Sequence, residues 1–266
     1  MREDHAIQIR EGIAPPKSLL RRLAERPLRA MGVEPIPVWH VSKHAHNYVQ
    51  AELLRKVFDA KGIDCVFDVG EFNGYSGNFL REKVGFRGTI LSFEPLPDPF
   101  RALEKACRQD EHWHAFPVAL GAQAGELKMN VMNKLWFSSF LAPSEATPET
   151  MVSGNTVEST ISARVERLAD RFDVLAATHG FTRPFLKMDT QGFDLQVLRG
   201  ALPRIDRFLG LKSEVSMIQI YVGMPDWKEA LAEYEKAGFA LCGFFPVSCD
   251  EQLRAVELDV VMVRPD

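Results

Sequence analysis

From Asn47 onward, short apolar runs of strand length alternate with segments whose apolar residues recur at helical spacing, and this alternation constrains the fold more than any other feature. A helix capped by Asn47 would bury Val49, Leu53, Leu54, Val57 and Phe58 and stop at Gly62. Cys65–Val69 follows as a strand apolar on both faces, then a loop Gly70–Gly77, a helix near Asn78–Val84, a strand Thr89–Phe93, a helix Phe100–Cys107 and a strand Phe116–Leu120. After a different middle section the pattern resumes with a helix over Arg167–Thr178, a strand Phe185–Asp189, a helix Leu195–Ala201 and a strand Leu209–Met217. A helix Trp227–Lys236, closed by Gly238, and strands Phe239–Val247 and Leu258–Val263 complete the chain. Strands buried on both faces and separated by helices define an α/β fold, a doubly wound and mostly parallel sheet. The last two strands lack a helix between them, so one of them should run antiparallel.

The middle and the beginning depart from this rhythm. Glu126–Met132 and Thr156–Val165 alternate apolar and polar residues, as half-exposed strands do. The polar stretch Asn133–Asn155 between them is expected to be a mobile loop closing over the site as a lid. Residues 1–46 are read as an N-terminal helical extension, with helical spacing over Ser18–Met31 interrupted by Pro27. Residues 47–266 form the main domain, with the strands and loop of 125–165 inserted. His40, His44 and His46 have no adjacent Cys or carboxylate, so a solvated segment explains them better than a metal site.

Charge and cysteine content narrow the function classes. With 32 Lys and Arg against 36 Asp and Glu, a net charge of −4 offers no global attraction for nucleic acid or anionic lipid. The four cysteines are scattered, without zinc or disulfide spacing. No run approaches the roughly 18 apolar residues that span a bilayer, and Met1-Arg2-Glu3-Asp4 opens no signal peptide. A reduced, cytoplasmic protein is expected, bound to neither nucleic acid nor membrane.

Two strand ends carry the chemistry. In an open α/β sheet, ligands bind at the carboxyl ends of strands. Asp68-Val69-Gly70-Glu71-Phe72-Asn73-Gly74 leaves the first strand there, and Gly70 and Gly74 permit tight backbone and close ligand approach. The third glycine of the dinucleotide fingerprint is missing. Glu94, ending the next strand, suits the two hydroxyls of an adenosyl ribose and repels a 2′-phosphate. Taken singly, Asp68 could cap the following turn and Glu94 could be a solvated strand end; together, in order on adjacent strands, they point to an adenosyl cofactor. Asp68, inside an apolar strand, needs a partner, either a cationic ligand or the backbone. At the fourth site Lys187 and Asp189 share a strand face and Glu214 lies on the neighbouring strand. Lys187 is expected to pair with Glu214 or Asp189; alternatively Asp189 and Glu214 orient a hydroxyl or a divalent metal.

Val66–Gly70 with Asn73-Gly74, Ser92-Phe93-Glu94-Pro95, Val118-Ala119-Leu120-Gly121, Ser138-Ser139, Leu186–Asp194 with Val197–Ala201, Glu214 and Asp259 resemble, in order, the FkbM-type methyltransferases. The resemblance implies a seven-stranded, Rossmann-like class I fold dependent on S-adenosylmethionine, with methyl passing to a hydroxyl of a sugar, polyketide or other secondary metabolite. It implies cofactor contacts at Asp68, Gly70, Asn73, Gly74, Glu94, Pro95 and Ala119, and a catalytic set of Asp189, Lys187 and Glu214. The chain departs from the family at Glu71 and Phe72, where Ala and a small aliphatic residue are frequent, and at Asp194, where Glu is frequent. Asp189 is the candidate base; Mg²⁺ held by Asp189 and Glu214 is the other route to an activated hydroxyl. The expected partner is a small-molecule hydroxyl acceptor, with a homodimer left open. The competing readings are an NAD-linked oxidoreductase and a non-catalytic binding member of the fold.

Overall fold

The computed structural model describes the backbone from Val38 to Asp266 and side chains from His46 onward, so the expected helix over Ser18–Met31 and the side chains of His40 and His44 lie outside the described residues. Apart from the start of the first helix, the features below belong to the compact unit Gln50–Asp266. Helix α1 spans Val38–Lys61, beginning nine residues ahead of the expected Asn47 start. Val38–His46 contains no Gly or Pro to break it, and an Asn inside a helix costs only a fraction of a kcal/mol.

Strands β1 (Cys65–Val69), β2 (Thr89–Phe93) and β3 (Trp113–Phe116) alternate with helices α2 (Tyr75–Phe79), which widens into a π turn over Leu80–Val84, and α3 (Pro97–Cys107). Then come β4 (Ala119–Leu120), β5 (Gly125–Met132), the single turn α4 (Glu149–Val152) and β6 (Val157–Glu166). The series ends with α5 (Leu168–His179), β7 (Pro184–Met188), α6 (Asp194–Ala201), β8 (Gly210–Ser216), α7 (Trp227–Lys236), β9 (Ala240–Cys249) and β10 (Ala255–Val263). Among the described residues seven strands make one sheet in the order β3-β2-β1-β7-β8-β10-β9, with β10 antiparallel to both neighbours. A smaller sheet, β4-β6-β5, stands apart.

The expected strand Phe116–Leu120 is divided. Pro117 has no amide proton, so the ladder with β2 ends at Phe116 and the chain leaves to pair Ala119 with Val165 of β6. On one sheet face Phe67, Phe93, Leu186 and Leu211 pack against Phe172, Phe181 and Phe208. On the other, Val66, Ile90, Phe185 and Val261 meet α1, where Phe58 packs edge-on against Phe86 and Phe185.

That second face also carries a buried polar row. Ser92, Asp68, Lys187 and Lys212 are in register across β2, β1, β7 and β8. Trp113 Nε1 donates to Ser92 Oγ at 2.8 Å, Lys187 Nζ lies 2.8 Å from Asp68 Oδ1, and Lys212 Nζ lies 2.9 Å from Asp259 Oδ2. Gln50 Nε2 donates to the same Asp259 oxygen at 2.8 Å, tying α1 to the row. No helix among the described residues is long and apolar enough to cross a membrane.

Candidate functional site

The carboxyl ends of β1, β2 and β7 converge on the loop Gly70–Gly74. Gly70 has φ +72°, and a Cβ there would sit 2.1 Å from the Asp189 carbonyl oxygen. Glycine is required because the β7 backbone passes against the loop, a closer obstacle than any ligand. Asp189 N donates to Val69 O at 3.0 Å, fastening the ends of β1 and β7 together. Gly74, at φ +99°, would bring a Cβ to 3.1 Å from Ala106 Cβ, so its role too begins with packing.

Glu71 is buried under the start of α2. Its carboxyl accepts from Gly74 N at 2.5 Å and Gly77 N at 3.2 Å, so the side chain occupies the start of the helix. Burial, with Asp68 nearby, pushes its carboxyl well above the usual carboxylate range. Phe72 holds φ +69°. Its amide donates to Glu94 Oε2 at 2.9 Å while Leu96 N donates to Glu94 Oε1 at 2.8 Å, so Glu94 clamps both the left-handed residue and the β2 exit. Burial raises the Glu94 carboxyl to about 7, against the lowering effect of the two amides and Lys187. Asn73 is exposed at the tip, Pro95 is half-buried, and Ala119 is buried in β4.

Asp68 is fully buried, and the partner that offsets its charge is Lys187, its register neighbour. Lys187 also donates to Gly70 O at 2.9 Å. The expected pairing of Lys187 with Glu214 or Asp189 is therefore corrected: β8 places Lys212, not Glu214, level with Lys187. Paired with Asp68, Lys187 braces the Gly70–Gly74 loop from beneath.

Asp189 and Glu214 do come together, through a residue the sequence did not single out. Gln191 Nε2 donates at 2.9 Å to Asp189 Oδ1 and at 2.9 Å to Glu214 Oε2. Gln191 was visible in sequence only as the polar residue before Gly192, two positions past the strand end. Among the described residues no three His, Cys, Asp or Glu converge as a metal site, so the Mg²⁺ route gains no support. Asp194 opens α6, where the Thr190 amide donates to Oδ1 at 2.8 Å and Ser213 Oγ to Oδ2 at 2.6 Å. Burial raises its carboxyl.

The segment Asn133–Asn155 is anchored beside this site. Ser139, fully buried, donates from Oγ to Gln191 O at 2.7 Å, and the Tyr221 hydroxyl lies 2.7 Å from Phe137 O. Asn155 Nδ2 donates to Ile220 O at 3.0 Å, and Pro143 bridges Tyr221. Ser139 and Asn155 thus spend their polarity on buried hydrogen bonds, and in this conformation the segment is packed at both ends.

A doubly wound sheet with this strand order, glycine-tightened first loop and acidic second strand end defines a Rossmann-like α/β protein with its ligand crevice at the carboxyl edge. The chain belongs to the FkbM methyltransferase family, whose domain model, Methyltransferase FkbM domain, matches residues 68–241. None of the curated proteins matches the chain. Among solved structures it is similar to Aeropyrum pernix fibrillarin with natively bound S-adenosyl-L-methionine, at 13% identity and TM-score 0.44, over 82% of this chain and 76% of that one. It is also similar to Synechocystis PCC 6803 magnesium protoporphyrin IX methyltransferase with bound SAM, at 9% identity and TM-score 0.45, over 91% of each chain. The fold stands on the strand order and register themselves.

Proposed function

We propose that the chain binds S-adenosylmethionine beside the Gly70–Gly74 loop and transfers its methyl group to a hydroxyl of a small-molecule acceptor, with Asp189 taking the hydroxyl proton. The observation that carries this reading is Asp189 itself: a half-buried carboxylate at the carboxyl end of β7, whose backbone is pressed against Gly70 of the cofactor loop. The residues fit the cofactor chemically. Asp68, Glu71, Glu94 and Asp189 lie around one lysine, Lys187, an acidic setting that suits a ligand bearing a sulfonium and an ammonium. Glu71 already fills the N-terminus of α2, where a dinucleotide would place its pyrophosphate.

When bound, the cofactor supplies an electrophilic methyl whose leaving group is a neutral thioether. Glu94 would accept from the ribose hydroxyls, while its two amide contacts hold the loop. Alignment of the acceptor oxygen and removal of its proton fall to the protein, because an alcohol is a weak nucleophile at neutral pH. Asp189 in its ionised form supplies the base.

The test is incubation with methyl-labelled S-adenosylmethionine and a fractionated pool of hydroxyl-bearing metabolites, with the product's methylated atom read by NMR. Label on oxygen is expected; label on nitrogen or carbon, or no transfer despite cofactor binding, overturns the reading. Asp189→Asn should lower turnover by roughly two to four orders of magnitude, the range for a general base, with cofactor affinity nearly unchanged.

A further inference from the structure

We infer that Gln191 is a positioning residue: its side-chain amide holds Asp189 and Glu214 together as an ionised pair, so that Asp189 keeps one orientation and a low proton affinity before the acceptor arrives. The inference rests on the proposed role of Asp189 as base. Three observations carry it. One Nε2 donates to both carboxylates, at 2.9 Å to Asp189 Oδ1 and at 2.9 Å to Glu214 Oε2, so the two groups share this donor. The other end of the amide is met as well: Oε1 lies 2.9 Å from the hydroxyl of Tyr221, which is fully buried and also lies 2.7 Å from Phe137 O. The backbone is held as well: Gln191 and Gly192 have φ of +53° and +85°, Phe193 N donates back to Thr190 O, and Ser139 Oγ donates to Gln191 O.

A non-glycine residue in the left-handed region costs on the order of 1–2 kcal/mol, and Gly or Asn would sit there more easily. A glutamine is kept in that conformation with every polar group of its side chain engaged, and two of the three groups it meets are carboxylates of the candidate base pair. Hydrogen bonds to ionised carboxylates favour the charged form, whereas adjacent carboxylates without a shared donor disfavour it. Lys187, Glu94 and Asp194 also act on Asp189, and the substitutions below leave them in place.

The experiment is a ¹³C carboxyl NMR titration of the free protein, with Asp189 and Glu214 assigned from Asp189→Asn and Glu214→Gln spectra. Gln191→Leu keeps the size and removes both donors; at least one of the two carboxyls should titrate about one to two pH units higher than in the parent protein. Gln191→Asn keeps the amide and relieves the backbone, yet is one methylene short of reaching both carboxylates. It should fold at least as stably and still raise one of the two midpoints. Midpoints unchanged within about 0.3 unit in a folded Asn or Leu variant would overturn the inference and reduce Gln191 to a turn residue. If Gln191→Leu does not fold, the Asn variant decides alone. S-adenosylmethionine binding to the parent protein is measured separately by calorimetry; its failure would count against the methyltransferase reading and leave the titration result standing.

Discussion

At the scale of single residues, buried charge decides most of what the site can do. Asp68 and Lys187 form an ion pair closed off from solvent, and breaking such a pair from one side strands a charge. Lys187→Met should therefore cost about 3–5 kcal/mol of stability, while Lys187→Met with Asp68→Asn should cost less than half as much. Urea denaturation of the two variants checks the difference, and equal losses would mean the pair is not coupled. Glu94 gives a pH signature. Its carboxyl, raised to about 7, is mostly protonated at pH 6 and mostly ionised at pH 8. A ribose diol donates to the ionised form, so affinity for S-adenosylhomocysteine should rise about tenfold between pH 6 and pH 8. Glu94→Gln should flatten that slope; a slope that survives in the variant would assign the titration to another group. In the free protein the sign is reversed: the native state holds a proton that the unfolded state loses at lower pH. The Glu94 contribution to stability is therefore full below the unfolded carboxyl value and falls as pH rises toward 7.

At the scale of elements, the sheet was legible because its strands are apolar on both faces and its helices are not, a contrast one chain displays without any relative to compare. The antiparallel β10 followed from the missing helix between β9 and β10. What was not legible depended on partners distant in sequence. Pro117 marks where β3 stops, yet nothing local says that Ala119 will pair with Val165. Gly121 and Gly200 read as ordinary family positions, and only the fold shows why: a Cβ on Gly200 would meet Gly121 O at 2.1 Å where α6 crosses β4. Lys187 could be seen to need an acid, but which acid depends on strand order and register. The polar stretch Asn133–Asn155 hides its anchors for a related reason, since buried polar residues such as Ser139 and Asn155 look like solvated ones in sequence. Its anchors predict that limited proteolysis of the free protein will not cut this stretch ahead of global unfolding. Tyr221→Phe, which removes the hydroxyl beside Phe137 O and Gln191 Oε1, should expose it to cleavage. Rapid cleavage in the parent protein would restore the mobile-lid picture.

At the scale of the whole molecule, charge is nearly balanced, at −4 over 266 residues, but its distribution at the carboxyl edge is not. Four acidic side chains there, Asp68, Glu71, Glu94 and Asp189, lie around one buried lysine, and the helix terminus that could receive a phosphate is filled by Glu71. On the proposed function, this arrangement would favour a cationic adenosyl ligand over an anionic dinucleotide, although both carry the ribose that Glu94 would recognise. Thermal shift measurements separate the two. A ligand at a hundred times its dissociation constant stabilises the native state by about 2.7 kcal/mol. For a unit of this size that corresponds to a rise in Tm of about 5–11 °C. S-adenosylmethionine and S-adenosylhomocysteine should each produce such a rise at saturating concentration, and NAD should produce none. Glu71→Ala opens the helix N-terminus without touching Glu94, so a new response to NAD in that variant would identify Glu71 as the group that excludes it. A Tm rise with NAD in the parent protein would instead show that the acidic edge does not select its ligand by charge.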